Sequence, residues 1–132
     1  MAVTGKRNFI LGIKSFHANP YDGHTLAQTV EEVEKNTGQS IADNFADLAY
    51  CGHNYKHKSK VYTPATRKAM TPRIKKTQKR RSAIEPVIGH LKCYGRLGCN
   101  YLKGAIGDII NPILCAIGFN LRQISRRLLA SP

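Results

Sequence analysis

The sequence predicts an α/β fold, and three observations carry the prediction. A stretch rich in Ile and Phe near the N-terminus reads as a strand. Two later segments repeat their apolar residues at helical spacing, and a further short apolar run lies between strand and helix signals. Strand, helix, strand, basic segment, helix, helix is an α/β order. With 132 residues the chain has room for one modest core.

Asn8 to Phe16 (Asn-Phe-Ile-Leu-Gly-Ile-Lys-Ser-Phe) reads as the first full strand. Thr4-Gly5-Lys6 reads as a turn, so Ala2-Val3 is expected to end an earlier strand that starts before Met1. Asn19 to His24 is a predicted loop. A helix is predicted over Thr25 to Asn36, with Thr25 and Gln28 as a capping box, Leu26, Val30 and Val33 on its buried face, and Gly38 as terminator. Ser40 to Ala46 is a short strand candidate that delivers Asp47 at its end.

Between residues 48 and 84 there are eleven Lys or Arg and no acid, so most of the formal charge of +13 sits there. Lys60 to Pro64 reads as a short strand. The rest, interrupted by Pro64 and Pro72, reads as an exposed basic connection over residues 54–81. From Ser82 onward the chain reads as helical, over 82–130. Ile84, Val87, Ile88 and Leu91 are spaced for one helix face. Cys93 to Gly107 is Gly-rich and irregular. Asp108 to Leu129 is the longest helix pattern, with Ile110, Ile113, Leu114, Ile117, Leu121, Ile124 and Leu128 on one stripe and Pro112 in its first turn.

So large an excess of positive charge selects a polyanion as partner, because Lys and Arg replace the counterions condensed on nucleic-acid phosphates. It does not distinguish DNA from RNA. No apolar leader follows a basic start, and no uninterrupted run of eighteen apolar residues occurs, so no membrane is expected among the partners. Cys51, Cys93, Cys99 and Cys115 form no dense framework and read as free thiols of a reducing cytoplasm. Zinc is not expected. Cys51, His53 and His57 are close in sequence, and His90, Cys93 and Cys99 lie further on, but no CxxC pair exists.

On a continuous helix Arg81, Glu85 and Lys92 would share one face, beside the apolar stripe of Ile84 and Val87. A carboxylate between two cations can hold a divalent ion while the cations hold phosphate oxygens. Ser82-x-x-Glu85 also fits a capping box, in which Glu85 satisfies only a backbone N–H. On spacing alone the capping box is the commoner outcome.

Four motifs in order alter that weighing. Arg81, three residues, Glu85, six residues, Lys92 is similar to the signature around the last acid of bacterial insertion-sequence transposases of the DDE type. In that signature a Tyr precedes the Arg by three positions, where this chain has Gln78. Asn19-Pro-Tyr-Asp-Gly-His-Thr25 resembles the loop and helix start after their third strand. Phe45-Ala-Asp47-Leu-Ala-Tyr-Cys-Gly-His53 resembles their second-acid segment, with Ala49 in place of a Gly and Cys51 in place of a basic residue. Gly95-Arg-Leu-Gly-Cys-Asn-Tyr-Leu-Lys-Gly104 and the final helix continue the likeness, which covers essentially the whole chain.

The resemblance implies an RNase H-like catalytic core, N-terminally truncated and ending in helices, as a single domain fragment over 1–132. It implies Asp47 as second and Glu85 as third catalytic acid, both ligating Mg²⁺ or Mn²⁺. Arg81 and Lys92, with Lys75, Lys76, Lys79 and Arg80 of the basic segment, would hold DNA, both transposon ends and target. The first acid is not among these residues, since no acid precedes Asp22, and Asp22 itself reads as turn or capping chemistry. The expected activity is DNA strand cleavage and transfer, incomplete in this chain alone. An upstream transposase polypeptide or a second copy is the expected protein partner, on the bacterial nucleoid in the cytoplasm. The alternative is a non-catalytic DNA-binding regulator or inhibitor derived from a transposase.

Overall fold

The computed structural model describes residues 1–16, 20–53, 55–56 and 59–130, and of Arg67, Lys68 and Ala69 the backbone only. Asn19 of the predicted loop, His57 of the rejected zinc set and Lys58 of the basic run lie outside the described residues. The chain is a mixed α/β protein with two small sheets and a long C-terminal helix. It divides into two compact units, residues 1–15 with 84–132, and residues 16–83. The second is an insertion within the first.

The discontinuous unit begins with β1 (Ala2–Val3) and β2 (Ile10–Gly12), paired antiparallel on either side of the turn at Gly5. Strand β2 is followed, after the insertion, by α3 (Ile84–Cys93) and α4 (Gly104–Leu129). Ile10, Val87, Leu91, Cys115, Ala116 and Phe119 form its core, with Met1, Val3, Ile13 and Leu97 packed around them. Asn120 on α4 acts as an extra strand segment for β2. Its Oδ1 accepts from the Ile10 N–H at 2.9 Å and its Nδ2 donates to the Ile10 carbonyl at 2.8 Å. Both backbone groups of a buried residue are thereby satisfied.

Two expectations for α4 are corrected. The helix begins at Gly104, so Pro112 lies inside it rather than in its first turn. Pro112 lacks the N–H that would bond the carbonyl of Asp108, and the helix runs on regardless because its inner side is anchored by the core. The predicted apolar stripe is also on the outer side. Leu114, Leu121 and Leu128 are more than half exposed, and Ile110, Ile113, Ile117 and Ile124 are 39–49% exposed. Gly107, Cys115, Ala116 and Phe119 face inward instead. Small residues let the helix approach its neighbours closely, which outweighs the larger apolar residues on the far side. By length and composition α4 could cross a membrane (mean hydropathy 1.4, 22% of the window buried), a property it shares with core helices of soluble proteins. An unbroken apolar run is a stricter demand, which this helix does not meet.

The inserted unit is built on α1 (Asp22–Thr37), β3 (Asp43–Phe45), β4 (Lys60–Tyr62) and α2 (Pro72–Arg80). Leu26, Val30 and Val33 are buried along α1 as the pattern requires, and Gly38 ends the helix in the left-handed region, its N–H donating to the Glu34 carbonyl. The helix starts three residues before the predicted Thr25. Thr25 is inside the first turn, and its hydroxyl donates to the Asp22 carbonyl instead of capping. Asp22 holds the first helical position, where its charge suits the helix dipole. Strands β3 and β4 are parallel, pairing Asp43 with Lys60 and Phe45 with Tyr62, whose rings stack at 5.2 Å.

The basic stretch is structured, contrary to the expected connection. It contains β4, a 3₁₀ turn at Pro64–Ala69, helix α2 and a second 3₁₀ turn at Arg81–Ala83. Thr71 caps α2, its side chain accepting from Ile74 N–H, and Pro72 is the first helical residue, where a missing N–H costs nothing. Pro72 thus starts a helix, where the sequence pattern makes it an interruption.

Candidate nucleic-acid interface

Asp47 stands two residues beyond β3, held by the parallel strand pair, since the Ala46 N–H donates to the Tyr62 carbonyl at 2.9 Å. Its carboxylate has two partners. Oδ1 caps the 3₁₀ turn Leu48–Tyr50 by accepting from the Leu48 N–H at 2.7 Å. Oδ2 lies 3.3 Å from a guanidinium nitrogen of Arg81. Asp47 is half exposed and Arg81 only 20% exposed, so the pair is open to solvent on the acid's side. An ion pair so placed contributes little to stability, on the order of 1 kcal/mol or less. It does fix where the positive charge points.

Gln78 gives the second tie between α2 and this strand end. Its Nε2 donates to the Ala46 carbonyl at 3.0 Å, one residue before Asp47. The side chain is buried, and among the described residues its Oε1 has no hydrogen-bond partner. The sequence marked Gln78 only as a departure from a motif. Nothing near it in the sequence indicates the Ala46 carbonyl as its partner.

Beside these residues lies an open cavity of about 680 Å³, lined by Pro64, Met70, Lys75, Gln78, Lys79, Arg81 and Ser82. Lys75 and Lys79 are one turn apart on α2 and share the face that meets the cavity. Lys76 and Arg80 are likewise exposed and one turn apart, on the adjoining face. Among the described residues no carboxylate lines the cavity, so its walls present a concave cationic surface. Tyr50, beside Asp47, has its phenol pushed above the ordinary value near 10, by burial first and then by the negative charge of Asp22, with a smaller effect from Asp47.

The remaining predicted residues are arranged differently. Glu85 and Lys92 are exposed on α3, in the discontinuous unit, while Arg81 belongs to the 3₁₀ turn of the inserted one. The helical register that would put all three on one face is interrupted at Arg81–Ala83. The capping box is not formed either, because Ser82 Oγ donates back to the Lys79 carbonyl at 2.8 Å. Among the described residues Glu85 has neither an ion pair nor a side-chain hydrogen bond. Among them, too, no three His, Cys, Asp or Glu side chains come together as a metal would require. With one Asp47 oxygen on a backbone N–H and the other on Arg81, the donor set does not fit a divalent ion. No family model, curated protein or solved structure matches this chain.

Proposed function

We propose that these residues are the DNA-binding portion of a DDE-type transposase core with an RNase H-like fold. The observation that carries the reading is the cationic concavity of Lys75, Lys79 and Arg81, set against the strand end that bears Asp47. Such a surface suits a phosphodiester backbone. Lys75 and Lys79 contact phosphates as mobile point charges, while the guanidinium of Arg81 is oriented by Asp47. The order of motifs in the sequence and the mixed α/β architecture support the same reading.

The catalytic form of the reading calls for Mg²⁺ or Mn²⁺ on Asp47 and Glu85, ions that would activate the attacking oxygen and stabilise the leaving one. The Asp47 carboxylate, held by the Leu48 N–H and by Arg81, does not meet that demand by itself. Strand cleavage is therefore not expected of these 132 residues alone. The regulator reading, in which the chain occupies DNA without cutting it, draws on the same cationic surface and needs neither acid.

The test is binding of a labelled duplex over a range of salt concentrations. Neutral replacement of Lys75, Lys76, Lys79 and Arg80 weakens binding to every duplex and flattens the slope of log K against log salt. An unchanged slope refutes this surface as the phosphate contact. Nicking assays with Mn²⁺ then separate the two forms, since activity lost on Glu85→Gln would require the catalytic one.

A further inference from the structure

We infer that the discontinuous unit carries a second nucleic-acid site, a pocket for one unpaired nucleotide built on the turn after α3. The inference rests on the DNA-binding reading. The pocket has a volume of about 270 Å³ and lies between the end of α3, the turn Gly95–Arg96, Tyr101 and one side of α4. That is room for one nucleotide and not for a duplex. Its floor is apolar, made by Leu91, Cys115 and Phe119, all buried. Its rim is aromatic and cationic.

Tyr94 and Tyr101 are 68% and 71% exposed, an unusual state for two large rings at one opening. His90 stacks on Tyr94 with ring centres 5.7 Å apart, and the Arg96 guanidinium lies 5.5 Å from the centre of the Tyr101 ring. Arg122 reaches the same rim from α4. Among the described residues no carboxylate lines the pocket, and neither arginine has an acidic partner. Flat rings bind a base by stacking whatever its identity, and guanidinium groups hold the attached phosphate.

The backbone supplies an independent observation. Arg96 has φ of +59°, in the left-handed region that favours glycine, although glycines stand close by at 95 and 98. The turn around it is firmly tied. The Gly95 N–H donates to the His90 carbonyl, the Leu97 N–H donates to the Leu91 carbonyl, and the Cys115 thiol donates to the Gly95 carbonyl at 2.8 Å. A Cβ at Gly95 would stand 2.7 Å from the Leu91 carbonyl oxygen, so that position must be glycine. Position 96 is under no such demand for a side chain, and a glycine there would relieve the strain. Strain held at the rim of a cationic aromatic pocket points to a ligand for the side chain that bears it.

The ligand chemistry is a phosphorylated aromatic base, and the experiment separates a DNA strand from a free nucleotide. The full chain is titrated with a short oligothymidylate, thymidine monophosphate, inorganic phosphate and a blunt duplex. Arg96→Gly is the decisive variant because it should keep or raise the melting temperature. Arg96→Gly and Tyr101→Leu are each expected to weaken oligothymidylate binding roughly tenfold, in line with the loss of one stacked base or its cation. Duplex binding stays as in the parent chain. Neutralising Lys75, Lys76, Lys79 and Arg80 does the reverse, lowering duplex affinity most. Oligothymidylate affinity unchanged in both pocket variants overturns the inference and leaves the duplex reading intact. If the duplex does not bind while either thymidylate ligand binds in an Arg96-dependent way, the DNA reading of α2 fails and the pocket stands. Equal binding of inorganic phosphate and monophosphate overturns the nucleotide assignment.

Discussion

Replacing Gln78 tests how α2 is fastened to the strand end that carries Asp47. Its amide donates to the Ala46 carbonyl, and both residues are less than a tenth exposed, so water does not readily replace the bond. Gln78→Ala removes that bond, worth about 1 kcal/mol net. It also removes stem carbons and leaves the space they filled, for about 1–2 kcal/mol more. The Ala46 carbonyl is then unpaired at a cost of roughly 1–3 kcal/mol, offset by a similar gain from deleting the unpartnered Oε1. The expected loss is about 2–3 kcal/mol. Gln78→Met keeps the stem and the volume, loses the bond and also sheds Oε1, so it should fall within about 1 kcal/mol of the parent. Urea denaturation of the three proteins measures both differences. A Met variant as unstable as the Ala variant would refute the reasoning, because packing would then count for nothing beside the amide bond.

The other expectations concern charge, cleavage and titration. Replacing Lys75, Lys76, Lys79 and Arg80 with neutral residues should lower the magnitude of the salt slope for duplex binding by roughly 2–4, at about 0.9 for each phosphate no longer neutralised. Supercoiled plasmid should stay uncut by the purified chain in Mg²⁺ or Mn²⁺, as seen by gel mobility. Nicking that Glu85→Gln abolishes would reverse that conclusion. Tyr50 is an acid whose folded-state pKa is raised, so its contribution to stability is present below its ordinary value near 10 and is lost as pH rises through the higher folded value. Denaturation midpoints across the alkaline range should therefore drop less steeply in Tyr50→Phe than in the parent.

Much of this fold is written locally. The Ile and Phe run at β2, the spacing of Leu26, Val30 and Val33, and the glycine at 38 each specify their element within a few residues. What escaped the sequence depends on choices made elsewhere in the fold. Helix α2 was hidden because cations one turn apart repel, although Thr71-Pro72 is a legible start signal. The orientation of α4 was hidden because the helix has two apolar sides, one large and one small, and periodicity does not say which will be buried. In the candidate interface, the lysines of α2 were expected from their charge and Asp47 from the transposase resemblance. The pairing of Asp47 with Arg81 was open, because a guanidinium beside either acid would have suited the pattern. The role of Gln78 depends on a carbonyl 32 residues away and has no local signature.

The interrupted course of the first unit sets an order of events during synthesis. Residues 16–83 are contiguous, so the inserted unit has all its parts once residue 83 has been made. The β1–β2 hairpin is made before the insert but waits for its partners. Its two clamping bonds come from Asn120, which is 110 residues away from Ile10. Closing so long a loop is slow when the intervening chain is loose, and a folded insert shortens the effective loop. Residues 1–15 are made before the insert yet are secured after it, and until α4 emerges the strand edge of β2 is open to pairing with a neighbouring chain.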